Sequence, residues 1–335
     1  MNRKYNFCTI IACLIFLSLF IGCDKTNQAK SATDKTQQKE VKEENIKVAL
    51  ILPGNITDKS WNQRGYEGLQ RAHIELNIET AFVEKISQPD QAETMADYAR
   101  RGYDIVIGHG GEFQASAEQV ATQFPQTLFV VNNGTVPKSN LAIIDFDYKQ
   151  IGYILGYLGG RMTKTGILGF VGAEKIKLTT DLLEGYEKGL LSVRPDGKIL
   201  TAWTNDWNDI AKAKEVTLLE IKQGADIIFP TMDNAVVGSL AAAREKKKKA
   251  FGIYYDAIKD WPDVVLQSAI FDISEAMLVF LRQAKEGRAV GKNYNFTLSD
   301  ASIMRLGTFN PEVPEIIRKD VENLIYEITS GKLKP

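Results

Sequence analysis

The chain predicts an α/β protein of two similar lobes, each a mostly parallel sheet flanked by helices. Apolar, β-branched runs alternate with segments whose apolar residues recur at helical spacing, the pattern of strand and covering helix. The alternation pauses at a small-residue helix near the middle of the chain and then starts again. Beyond Val264, further strand and helix segments return to complete one of the lobes.

In order, residues 46–52 (IKVALIL) end in Pro53-Gly54 and read as a buried strand followed by a loop. A helix is expected over 61–76, then strand 81–84, helix 91–101, strand 104–108, helix 114–123 and strand 128–132. Short loops between such elements imply a parallel sheet covered on both faces. The helix 148–162 opens the second series, with strands near 166–171, 199–203, 226–230 and 250–254. After a strand from Val264 come a helix over 274–285, a strand-rich stretch near 294–309 and a last helix from about Pro314. The expected division is 46–147 plus about 272–310 for lobe one and 148–271 for lobe two. The C-terminal helix, within 311–335, is assigned to neither.

The amino terminus has a different logic. Arg3 and Lys4 precede an uncharged apolar run, 7–21, that closes on Gly22-Cys23, the layout of a secretory signal peptide over 1–22. The run is short of the roughly 20 residues that span a bilayer. Its end resembles a bacterial lipobox, in which the cysteine after the cut is lipidated; Phe20 replaces the usual leucine, with Leu19 beside it. Cys8 and Cys13 leave with the signal peptide, so Cys23 alone remains and no disulfide forms within one molecule. Residues 23–45 are almost devoid of apolar side chains and are expected to be a lipidated tether. The folded part, about 290 residues, is long enough to rest on its hydrophobic core.

A net charge of −1 argues against a nucleic-acid partner, which selects for a basic excess. The basic run REKKKKA, 244–250, reads as a solvated helix end. No dinucleotide fingerprint, Walker loop or G-x-S-x-G elbow occurs. His73 and His109 are the two histidines, and no second His or Cys stands at metal-ligand spacing, so neither enzyme, cofactor nor metal is expected.

Open α/β sheets bind ligands outside their carboxyl edges. The candidate loops are 53–61, 108–113, 132–137, 173–179, 203–209, 231–235 and 255–261. Trp61 stands at an exposed first turn, where an indole is an awkward core residue and a natural stacking platform. Asp58 in the same loop is either a ligand contact or a helix cap. His109, with Gly110 beside it in GHGGEF, either faces the cleft and bonds a ligand or orders its own loop. Trp207 occupies an equivalent loop of the second lobe, Asp233 lies in the loop 231–235, and Trp203 is read as core.

DKSWNQRGYEGL, GHGGEF, FPQTLFVVNNG, IGYILGYLGGRMTKTGILGFVG, WNDIAKAKE and QGADIIFP resemble the basic membrane protein family of ABC-transporter solute receptors, from about Ile46 to Leu306. The resemblance implies a periplasmic-binding-protein fold of type I with a three-crossover hinge. It also implies a monomer bound through its lipid anchor to a membrane, with an ABC permease and ATPase as partners. Similar receptors take purine nucleosides between two aromatics, and there Trp61 and Trp207 match the aromatics, Asn62 a contact to the base and Asp256 a carboxylate for the ribose. One departure stands out. The lysine expected three residues after the serine matching Ser268 is Phe271 here, which cannot donate a hydrogen bond. The expected ligand is therefore a purine-type molecule, nucleobase or nucleoside. The alternatives are another small polar solute or a ligand-sensing lipoprotein of signalling type.

Overall fold

Two six-stranded sheets form the framework of the structure, a computed structural model that describes residues 45–58 and 60–335. The expected signal peptide, Cys23 and all of the tether but its last residue lie outside the described residues.

The first sheet is built from β1 (Lys47–Ile51), β2 (Glu79–Val83), β3 (Ile105–His109), β4 (Leu128–Asn132), β5 (Leu141–Phe146) and β11 (Asn293–Phe296). Their spatial order is β11-β5-β4-β3-β1-β2, all parallel. Alternation along β1 explains its unbroken apolar run. Val48 and Leu50 face one core, whereas Ala49 and Ile51 face the other. On one side, α1 (Trp61–Leu76) packs against α8 (Ile273–Lys285); the other core takes residues of α2 (Gln91–Arg100) and α3 (Gln114–Ala121). The strand β5, LAIIDF, has no counterpart among the expected elements.

The second sheet contains β6 (Ile167–Gly172), β7 (Lys198–Trp203), β8 (Ile227–Thr231), β9 (Lys249–Ile253), β10 (Val265–Phe271) and β12 (Met304–Leu306), in the order β12-β10-β9-β8-β6-β7. Only β12 runs antiparallel. The helices α4 (Tyr148–Met162), α5 (Lys177–Val193), α6 (Ile210–Lys222), α7 (Val236–Glu245) and α9 (Glu315–Thr329) complete this lobe. The small residues of α4 let it lie directly on α5. A Cβ on Gly156 would sit 2.0 Å from the Tyr186 carbonyl oxygen, and one on Gly189 would sit 2.0 Å from that of Tyr153.

The chain crosses between the sheets after β5, after β10 and between β11 and β12. This corrects the assignment of 272–310 to lobe one. Residues of α8 and β11 join the first sheet, but Met304 and Leu306 pair with Phe271 and Ala269 and cap the open edge of β10 in lobe two. The last helix also belongs there, since it packs on α4 and Asp320 pairs with Arg161 at 2.5 Å. Phe146, Tyr148, Phe271 and Phe296 fill the space where the crossovers meet, with Tyr148 and Phe271 rings 5.0 Å apart.

Candidate ligand cleft

The carboxyl ends of the two sheets face each other, and their loops touch. Ser60 Oγ, from lobe one, donates to Asp233 Oδ1 of lobe two at 3.0 Å. Nearer the hinge, Lys177 of α5 reaches Asp145 of β5 at 2.9 Å, and Asp145 is only 3% exposed.

On lobe one the cleft wall begins at the head of α1. Asp58 organises it: Oδ1 accepts from the Ser60 and Gln63 amides, and Oδ2 from the Asn62 amide and side chain, at 2.8–3.0 Å. The structure thus places Asp58 as a helix cap, one of the two roles read for it. Asn62 is buried, its Oδ1 accepting from the Gly54 amide at 3.0 Å while Nδ2 serves Asp58. Trp61, half-buried, turns its indole onto the end of β3, where Nε1 donates to the His109 carbonyl at 3.1 Å.

Of the two readings of His109, the structure does not place its ring in the cleft. The imidazole is fully buried and lies beneath the Trp61 indole, ring centroids 4.4 Å apart and planes 20° off parallel. Gly65, one turn into α1, leaves the space, because a Cβ there would meet the imidazole at 2.5 Å. Burial lowers the His109 pKa to about 4, so the ring is neutral at physiological pH. Gly110 has φ at 151°, a backbone that favours glycine, and the Glu112 carboxylate folds against it.

On lobe two, Trp207 is half-buried, and its carbonyl accepts from the Asp233 and Ala235 amides at 3.1 and 3.2 Å, which binds two cleft loops together. Asp209 caps α6 by accepting from the Lys212 amide. Trp203, read as core, is half-buried and packs against Phe170 at the edge of the core. Burial raises the Asp233 pKa to about 7; the Ser60 bond opposes this, while Asp58 and Glu112 add to it. Asp256 keeps Oδ2 on the Thr308 amide and hydroxyl, at 3.2 and 2.6 Å, and leaves Oδ1 without a partner among the described residues.

Three cleft residues were not among the candidates. Glu112 has its pKa raised by burial and, to a lesser degree, by Glu174 from the facing lobe. Tyr254 is held at φ 69°, a strained backbone for a bulky residue, and close enough to Asp233 to feel its charge. Ser60 bonds Asp233 of the facing lobe. All three lie in or beside predicted loops, but nothing local marks the pairing of Ser60 with Asp233 or of Glu112 with Glu174 across the cleft. Among the described residues no group of three or more His, Cys, Asp or Glu is placed to hold a metal ion, and no helix is long and apolar enough to cross a membrane.

A family model described as "ABC transporter substrate-binding protein PnrA-like" matches residues 45–334. The chain is similar to a purine-binding protein of Brucella abortus, 24% identical over 297 residues that cover 88% of this chain and 83% of the relative. Among solved structures it is similar to a transcriptional activator of the comK gene from Bacillus halodurans, with a TM-score of 0.75, 22% identity and coverage of 86% and 99% of the two chains. It also resembles an ABC transporter solute-binding protein from Conexibacter woesei, with a TM-score of 0.68, 22% identity and coverage of 87% and 98%. Two lobes of mostly parallel sheet, three crossovers, facing loops at the carboxyl edges and a match over nearly all of the folded chain lead to one assignment: this protein belongs to the PnrA-like, or basic membrane protein, family of ABC transporter substrate-binding proteins.

Proposed function

We propose that this substrate-binding protein captures a purine-type solute, preferentially the free nucleobase, between Trp61 and Trp207 and passes it to its permease and ATPase while held to the membrane through Cys23. The observation that carries the reading is the Trp61 indole. It is half-buried, backed on one face by His109, fixed at Nε1 and set at the boundary between the lobes. A flat heterocycle is the ligand for which a rigid aromatic face is worth most.

Around it, Asp233 can donate as well as accept near neutral pH, which suits the mixed donor and acceptor edge of a purine. The purine-binding relative supports the same ligand class. Preference for the base over the nucleoside rests on the sugar side. Phe271 is buried among Phe146, Tyr148 and Tyr254, and one oxygen of Asp256 already serves Thr308. The test is mass spectrometry of the small molecule released when protein purified under native conditions is denatured. A purine base is expected; a non-aromatic solute recovered in stoichiometric amount would refute the proposal.

A further inference from the structure

The contacts beneath Trp61 give His109 a role other than touching the solute. Its Nε2 lies 2.8 Å from the Trp61 carbonyl oxygen, which only accepts, so Nε2 carries the proton. Its Nδ1 lies 2.6 Å from Asn132 Nδ2, an amide that donates, so Nδ1 is bare. The opposite amide orientation would set Asn132 Oδ1 against Nδ1 and demand a doubly protonated ring, which full burial opposes. These partners assign one neutral tautomer. The Trp61 indole in turn donates to the His109 carbonyl, so the two residues are bonded in both directions and stacked as well.

Every part of this arrangement lies in lobe one. His109 and Asn132 end adjacent strands and are register partners across β3 and β4. Trp61 and Gly65 are one helical turn apart on α1, and the missing side chain of Gly65 is what lets the imidazole lie flat between helix and sheet. The contacts that hold the ring and the indole together all come from lobe one.

We infer that His109 is a positioning residue: with Asn132 and Gly65 it locks the Trp61 indole into a single orientation and covers one of its faces, so that a heterocyclic solute is received on the other face by a platform already in place. The inference rests on the proposed stacking role of Trp61. It adds that affinity depends on side chains the solute never meets.

The test uses the mature chain with ¹⁵N labelling, with the Trp61 indole signal identified by its loss in Trp61→Phe. In the wild type, the His109 ring should be neutral with the proton on Nε2 from pH 8 to pH 5, despite the nearby Asp58 carboxylate, which favours protonation. In His109→Gln, which retains a donor for the Trp61 carbonyl but no ring, and in Gly65→Ala, which leaves His109 intact but displaces it, the indole N–H should exchange at least tenfold faster. Affinity for adenine or guanine, whichever the wild type binds, should fall about tenfold in both, part of the value of a stacked base. An indole unchanged in both variants, an affinity unchanged despite a loosened indole, or a wild-type His109 that titrates near the ordinary imidazole value would overturn the inference. The wild-type measurement stands even if a variant fails to fold. A loosened indole in a protein that binds no purine would sink the proposed ligand and leave the positioning role in place.

Discussion

Replacing Glu220 by Gln should stabilise the protein, and more so as pH rises. Glu220 lies on α6 and is 4% exposed, its carboxyl group turned toward Gly169 of β6, where a Cβ would come within 2.3 Å of Oε2. Neither carboxyl oxygen makes a well-formed hydrogen bond among the described residues, and burial, opposed only by the Phe170 backbone amide, raises the pKa to about 9 from an ordinary 4.5. The folded state therefore binds this proton more tightly than the unfolded chain does. Its contribution to stability is fully present below about pH 4.5 and is lost progressively as pH climbs to about 9. At pH 7 the loss is on the order of 3 kcal/mol, from roughly 1.4 kcal/mol per pH unit over the interval above 4.5. Gln keeps the shape and carries no charge, so it should recover most of that, a rise of about 5 °C or more in Tm for a domain of this size. Thermal unfolding of wild type and Glu220→Gln at pH 5 and pH 8 reads the effect directly. The gap should be small at pH 5 and several-fold larger at pH 8. An equal gap at both would mean that Glu220 ionises as an ordinary carboxylate and that the burial argument is wrong.

Three further outcomes follow from the same geometry. Asp233 touches Ser60 of the facing lobe and has a pKa of about 7, against 3.8 for an ordinary aspartate; on the expectation that parting the lobes hydrates it, affinity should weaken as pH rises from 4 to 7, by up to about tenfold per unit, and level off above that. Asp233→Asn should flatten this profile, as read by calorimetry at several pH values. Gly156→Ala should force α4 from α5, because its Cβ would stand 2.0 Å from the Tyr186 carbonyl oxygen; a loss of about 3 kcal/mol or more in denaturant unfolding is expected, and a loss under 1 kcal/mol would contradict the packing. Cys23→Ala should release the protein from the membrane fraction or leave it unprocessed, and unchanged attachment would count against the lipid anchor.

The fold was largely legible because its strongest constraint is local. A strand buried on both faces must be apolar throughout, and the helix beside it must be apolar on one side, so β1, α1, β3 and β4 announce themselves. Pairing is not local. Nothing in Met304–Leu306 tells whether it closes the first sheet or the second; that depends on which edge the third crossover reaches, and β10 is the edge left open. The family, read from ordered motifs, is the family found.

The site was legible in its loops and less so in its orientations. Glycines around His109 suggested an exposed ring, whereas the space for it is made by Gly65, 44 residues earlier. A glycine within an otherwise regular helix, four residues after a tryptophan, was the available signal. Glu112 and Asp233 owe their altered protonation to burial and, less, to carboxylates of the facing lobe, which no single segment encodes.

Isothermal titration calorimetry with adenine, guanine, adenosine and guanosine, comparing wild type with Trp61→Ala, Trp207→Ala and Asp256→Ala, tests the central claim most directly. A free base should bind at least as tightly as its nucleoside, and loss of either indole should weaken it about ten- to hundredfold. Asp256→Ala should leave the base almost unaffected. Binding of a purine that is indifferent to both tryptophans, or a wild type that accepts no purine at all, would contradict that claim.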